Sequence, residues 1–378
     1  MRVHRYAYVL TVAVLLLAWV LLEAAQQRGA EAGRGGPLPP VGSMPSRRFE
    51  KIVDGVYYAT STGSMSVGSN SVVIVNDDDV LLIDPGEGPA VAKAFLEDLK
   101  SITNKPVKVV VDSHYHFDHA HGNQIFGSDV MLIGHDRTYD TLAGDPLKGQ
   151  AYVTQAAPAL LQQRLDAARK QLPQAADAEA RATLERQIAS LALRVKQEQE
   201  VKPTPPRTKF AKDMTLRRGS REIRLMYFGR AHTDGDIVVF LPKERIVCTG
   251  DMMESQLSYA ADAWLGEWPD TLEKLSSVDF DTVLPGHGVP FKGKEKIRSY
   301  QSYLRDFYKQ VISLRQQGLS VEETAKRVDL TSHAADWPAI RGIGADIRAV
   351  QRVYDLAANP KAPYRSLGST QYPPIFLN

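Results

Sequence analysis

The spacing of apolar positions changes along the chain, and each change predicts a different kind of element. From Tyr6 to Leu22 there is no charged residue, with Arg2 and Arg5 before the run and Glu23 after it. A segment apolar around its whole circumference, behind a basic start, reads as a signal peptide or an uncleaved N-terminal anchor over residues 1–22. The basic flank would keep the N-terminus inside and send the remainder out of the cytoplasm, periplasmic or tethered to the membrane through residues 6–22. Residues 23–46 are rich in Gly, Pro and Ala and nearly free of large apolar side chains, which predicts a disordered linker.

From Phe49 the pattern becomes strand-like. Val56–Ala59 is β-prone, and Ser71–Val75 and Val80–Asp84 flank the polar run Asn76–Asp79 as a hairpin would. Pro89–Lys100 predicts a helix with Val91, Phe95, Leu96 and Leu99 on one side. Val107–Val111 is a short continuous apolar run, as a buried strand requires. Residues 154–200 then switch to helical spacing. Leu161, Leu165, Ala168 and Leu172 form one stripe, Leu184, Ile188, Leu191 and Val195 another, and Pro173 separates them into a helical pair. Strand-like runs return at Ile223–Phe228, Ile237–Leu241 and Arg245–Thr249. Beyond Pro285 the reading is helical. Ile297 to Leu314 marks a long helix with Gly318 as its stop, Ser320 with Glu323 forms a capping box, and Pro338–Leu356 predicts one more helix. Strands, helices, strands, helices in that order suggest an α/β fold of two sheets packed face to face with helices outside.

Composition narrows the function classes. With 378 residues, 43% of them hydrophobic, the chain has ample material for a large core. A formal net charge of +2, without a basic stripe, argues against nucleic acid as a partner. Cys248 is the single cysteine, so no disulfide forms within one chain. It sits inside an apolar run and reads as a small buried hydrophobe.

The chemistry concentrates directly after the strand at Val107–Val111, in Asp112-Ser113-His114-Tyr115-His116-Phe117-Asp118-His119. Imidazole and carboxylate suit Zn²⁺ and related first-row ions, and three of the chain's nine histidines fall within six positions here. The block resembles the H-x-H-x-D-H signature of the metallo-β-lactamase superfamily. Asp84-Pro85-Gly86, Gly229-Arg230-Ala231-His232-Thr233, Thr249-Gly250-Asp251 and Pro285-Gly286-His287-Gly288 resemble the family's further motifs and occur in the expected order. Ala231 stands where the family usually has glycine, and the long interval between His119 and His232 holds the helical insert.

The resemblance implies a four-layer αβ/βα sandwich of two mixed β-sheets. Its metallo-β-lactamase-like domain would span 47–315 with the insert 154–200, followed by a helical C-terminal extension, 316–378. It implies two divalent metal ions, zinc first among them: one on His114, His116 and His232, a second on Asp118, His119 and His287, with Asp251 bridging. Asp118 would also orient the hydroxide shared by the ions. For Asp84 two readings stand, a residue that hydrogen-bonds the metal loop and a plain turn aspartate. His4, His121, His135 and His333 are expected to take no part. Tyr259, Trp264 and Trp268 are read as pocket walls or packing, and the insert as a lid, a wall, an interaction surface or a solvated decoration.

The expected function is therefore exported, dinuclear, metal-dependent hydrolysis of an ester, thioester, lactone or amide in a small-molecule substrate. The alternatives are a β-lactam-hydrolysing enzyme and a mononuclear iron oxidoreductase acting on a persulfide. Asp251 disfavours the first, since the family's β-lactamases generally carry cysteine or serine there. A full second ligand set disfavours the other.

Overall fold

The computed structural model describes residues 45–362. The expected export segment 1–22, the linker up to residue 44, and His4 lie outside the described residues. Ser46 is already buried, its hydroxyl donating to Asp98 at 2.5 Å.

In chain order the first half holds β1 (Arg47–Val53), β2 (Val56–Ser61), β3 (Ser71–Val75), β4 (Val80–Ile83), α1 (Pro89–Leu99), β5 (Val107–Val111), α2 (Phe117–Ala120), β6 (Met131–His135), α3 (Asp136–Ala143), α4 (Gln150–Gln155), α5 (Pro158–Gln171), α6 (Ala178–Glu198) and β7 (Thr208–Phe210). The second half holds β8 (Asp213–Arg218), β9 (Arg221–Met226), β10 (Val238–Leu241), β11 (Ile246–Gly250), α7 (Trp268–Ser276), β12 (Thr282–Pro285), β13 (Phe291–Lys292), α8 (Glu295–Gln316), α9 (Val321–Arg327) and α10 (Ile347–Ala358).

Strands β1 to β7 form one sheet in sequence order, antiparallel up to β4 and parallel from there on. The other sheet runs β13-β12-β11-β10-β9-β8, with β11 and β12 parallel. Period-two alternation decides which side chains face which layer. Val72, Ile74, Leu81, Ile83, Val109 and Val111 point to the second sheet and meet Leu225, Val239, Leu241 and Cys248 there. Their neighbours Val73, Leu82 and Val110 point the other way, onto Phe95 and Leu99 of α1. On the far side, Val238, Phe240, Val247 and Val283 pack against α7 to α10 through Leu272, Leu304, Val350 and Val353. The result is the expected four-layer sandwich of two mixed sheets. The insert carries a small core of its own, Leu161, Leu165 and Ala168 against Leu191 and Val195, with a 3₁₀ turn at Leu172–Gln174 where Pro173 breaks the helix.

One local expectation is corrected. The last helix begins at Ile347, not Pro338, because the stretch before it contains Gly342 and Gly344, the latter at φ 127°, and Asp346 then accepts from Arg348 N as the cap. His135, expected to take no part in the chemistry, ends β6 with its ring stacked on Tyr227 at 4.0 Å. Cys248 is buried in the layer between the sheets, as its apolar surroundings predicted.

Candidate metal centre

Four chain segments reach one point above the ends of the parallel strands. Strand β5 runs straight into His114, His116, Asp118 and His119; the β9–β10 loop brings His232, the end of β11 brings Asp251, and the end of β12 brings His287. Seven expected ligands therefore meet, six of them buried and His287 partly so. They fall into two groups, His114, His116, His232 and Asp251 in one and Asp118, His119 and His287 in the other. Within each group the donor atoms lie within 4.8 Å of one another.

Asp251 stands between the groups. Its Oδ2 is 3.4 Å from His232 Nε2, 3.8 Å from His114 Nε2 and 3.3 Å from His287 Nε2, and its Oδ1 is 3.3 Å from His119 Nε2. Asp118 Oδ2 lies 3.1 Å from His287 Nε2 and 3.6 Å from His119 Nε2. His232 Nε2 is 2.9 Å from His116 Nδ1.

Glycines make room for this crowding. A Cβ on Gly286 would fall 2.3 Å from Asp251 Oδ1 and 2.8 Å from His119 Cε1. The first sheet also holds the His287 loop in place. Asn70 N donates to Gly286 O at 2.7 Å, and the Tyr58 hydroxyl donates to Pro285 O at 2.8 Å.

The ring nitrogens of His119, His114 and His116 that face away from the centre are tied down. Asp84 sits at φ 59°, a strained conformation for a residue other than glycine. That bend lets its carboxylate accept from Ser113 N and Ser113 Oγ, both at 2.7 Å, and lie 2.8 Å from His119 Nδ1. The first reading of Asp84 is the one the geometry favours. Ser113 Oγ is 3.0 Å from His114 Nδ1, and Asp262 Oδ2 is 3.1 Å from His116 Nε2. Such partners fix which nitrogen keeps a lone pair for the centre.

Sequence reasoning missed Asp262. Its signal was a lone acid among Ala260, Ala261, Ala263 and Trp264, in a segment considered only for its aromatic residues. Asp236 was missed too; it accepts from Thr233 N at 2.7 Å and Thr233 Oγ1 at 2.8 Å and so shapes the loop that carries His232.

The electrostatics distinguish the two groups. Burial, reinforced by His119, holds His114 well below the ordinary imidazole range, and burial holds His232 at about 3 against the pull of Asp251. For His119 and His287 burial is outweighed, chiefly by Asp251 and Asp118, and both are raised well above that range. For Asp118 and Asp251 burial favours the neutral acid, yet His119 and His287 hold both carboxyls below the usual range. Ionised carboxylates thus retain protons on neighbouring imidazoles, and divalent ions would take the place of those protons. His114 Nε2 is buried without a hydrogen-bond partner among the described residues. Buried nitrogen and carboxylate donors of this kind fit a pair of first-row divalent ions.

Of the other histidines, His121 is buried against Phe117 and Tyr152, and His333 lies 3.1 Å from Asp306 Oδ2. Trp268 is packing, fully buried with its indole N–H on Met252 O at 2.8 Å. It and Tyr259 both border the centre, the Trp268 ring 5.7 Å from that of His232 and the Tyr259 ring 5.9 Å from that of His116.

Two mixed sheets between helix layers, with a buried histidine–aspartate cluster at the strand ends, define a metal-dependent hydrolase. The profile of the metallo-beta-lactamase superfamily matches residues 66–287, more than half of the chain, and the protein belongs to that superfamily. It is 22% identical over 293 residues to a linear primary-alkylsulfatase of Pseudomonas sp. (strain ATCC 19151), an alignment covering 73% of this chain and 53% of that protein. The chain thus spans about half the length of that relative. Among solved structures it resembles a metallo-beta-lactamase from Pontibacter korlensis (20% identity, TM-score 0.49, covering 68% of this chain and 99% of that one). It also resembles the DIM-1 metallo-beta-lactamase (17% identity, TM-score 0.48, covering 69% and 98%).

Proposed function

We propose that the protein is an exported hydrolase that holds two zinc ions, one on His114, His116 and His232, the other on Asp118, His119 and His287, with Asp251 shared. The observation that carries this reading is the position of Asp251, within 3.8 Å of imidazole nitrogens from both groups. Two ions so held supply an activated water as nucleophile and stabilise negative charge on the attacked oxygen. The chain's own part is to fix the geometry and the charge. Asp118 stays ionised beside His119 and His287 and would accept a hydrogen bond from the attacking water. Ser69 Oγ, donating to Asp118 O at 2.5 Å, holds that residue's backbone in place. His114 and His232, kept neutral, present lone pairs.

The substrate class proposed is an ester, thioester, lactone or amide of a small molecule. Cys248 is buried between the sheets, and aspartate occupies position 251, which supports an ester over a β-lactam. The likeness to an alkylsulfatase makes a sulfate ester the specific second reading. The deciding experiment is elemental analysis of purified protein followed by a panel of carboxylic esters, thioesters, lactones, amides, β-lactams, a primary alkyl sulfate and a persulfide. Two zinc ions per chain and turnover of a carboxylic ester, thioester, lactone or amide are expected. One iron per chain and oxidation of a persulfide would replace the reading with the oxidoreductase one. Export rests on the basic and then apolar residues 1–22. A reporter fused after residue 46 should work outside the cytoplasm, and activity confined to the cytoplasm refutes it.

A further inference from the structure

Three consecutive residues in the β11–α7 connection make three different long-range contacts. Asp262 is buried, with Oδ2 3.1 Å from His116 Nε2. The carbonyl of Ala263 accepts from Arg352 Nε at 3.2 Å. Trp264 N donates to the carbonyl of Ala231 at 2.8 Å, the residue before His232. One short stretch of chain is thus fixed at once to His116, to the residue before His232 and to α10.

Helix α10 lies beyond residue 287, where the match to the family profile ends. Its grip on the stretch is built of arginines. Arg352 is buried, spans from Ala263 O to Ala362 O at 3.1 Å, and lies over the Trp264 ring at 4.9 Å. Arg348 lies over the Tyr259 ring at 5.4 Å and is paired with Asp346 at 2.7 Å. A guanidinium fork presents several donors in one rigid plane, so it can fix a backbone carbonyl while stacking on an aromatic face.

We propose that α10 is a brace for the metal centre: Arg352, through Ala263, holds Asp262 against His116, and so sets how tightly the ions are bound. Asp262 is the positioning residue. It accepts from His116 Nε2–H, which leaves the Nδ1 lone pair facing His232 Nε2 across the centre. The inference rests on the metal reading above.

The test is zinc affinity of the full chain, by competition with a chelator, for wild type, Asp262→Asn, Asp262→Ala, Arg352→Met and the Asp262→Ala/Arg352→Met pair. Asp262→Ala should weaken zinc binding by about 10–100-fold, the usual effect of losing a partner behind a ligand histidine. Asp262→Asn keeps an acceptor oxygen and should recover part of that loss. Arg352→Met should weaken zinc several-fold, and the pair should bind no worse than Asp262→Ala alone, because both act through one contact. Losses that multiply in the pair, or zinc affinity unchanged in Asp262→Ala, overturn the brace. Should Arg352→Met not fold, Arg352→Lys takes its place in both comparisons, with the same two outcomes. A wild-type chain that takes up no zinc overturns the proposed function as well, whereas a zinc-binding wild type with indifferent variants overturns the brace alone.

Discussion

At the scale of single residues, the roles of Asp251, Asp118 and Cys248 separate cleanly. Asp251→Ala removes the one carboxylate that, among the described residues, lies within reach of both groups, so metal content should fall below two ions per chain. Asp118→Asn keeps the shape and loses the charge, and turnover should drop by about 10²-fold or more. Cys248→Ser places a hydroxyl in an apolar layer. It should lower stability by roughly 1–3 kcal/mol while leaving metal content at wild-type level. Elemental analysis, turnover and melting of the three variants check all of this. Loss of metal in Cys248→Ser with retention in Asp251→Ala would reverse the two assignments. The seven residues of the centre were legible because each follows a strand end inside a recognisable short motif. Asp262 and Asp236 were not, because what makes them matter is a contact formed only when distant loops meet. Asp84 was half legible: its place before Pro85 was visible, but its φ of 59° and its reach to His119 were not.

Among the elements, helices with a long apolar stripe and strands with a continuous apolar run were readable, and several short strands were not. The β3–β4 hairpin, α1, the insert pair and α8 follow from apolar spacing alone. Strands β6, β7, β12 and β13, of two to five residues, carry too few positions to show a period. Which strands run parallel is decided by crossover connections, which no local pattern encodes. The insert is joined to the body through α6. Burial pushes the Glu198 carboxyl up to about 8 from its usual 4.5, with Glu87 adding to the rise and Arg194 opposing it. The unfolded chain releases that proton near 4.5 and the folded chain keeps it to about 8, so folding stability falls as pH rises through this window and the loss is complete above it. Glu198→Gln should match wild type at pH 4 and melt higher at pH 8.5, by on the order of 5 °C. Equal melting at both values would mean that the carboxyl titrates normally. Replacing 154–200 with a short loop tests the insert itself. A changed KM with metal retained marks it as a pocket wall or lid, and unchanged kinetics mark it as decoration.

For the whole molecule, the expectation is a linkage between metal and fold. His114, His116, Asp118 and His119 hang from the first sheet, and His232, Asp251 and His287 from the second. Ions bound between them would tie the sheets together, adding RT ln(1 + [L]/Kd), about 4 kcal/mol at a thousandfold excess over Kd. A chelator should therefore lower Tm by several degrees and readdition of zinc should restore it; a melting curve indifferent to the chelator speaks against ions at this position. The four-layer arrangement was readable from the order of the motifs. The packing of α8 to α10 onto the second sheet as part of the same core was not, since helical spacing names a buried face without naming what covers it. The division of ligands between the sheets also has a consequence for how the protein is born. Residues 114–119 leave the ribosome well before residues 232, 251 and 287, and until the second sheet docks they offer an ion only part of either ligand group, His114 and His116 of one and Asp118 and His119 of the other. If the chain is exported as proposed, the choice of metal would fall to the compartment that hosts the final docking, not to the one where the chain is made. The same polypeptide matured on either side of the membrane should carry each compartment's own prevailing ion, a difference that elemental analysis of the two preparations reads directly.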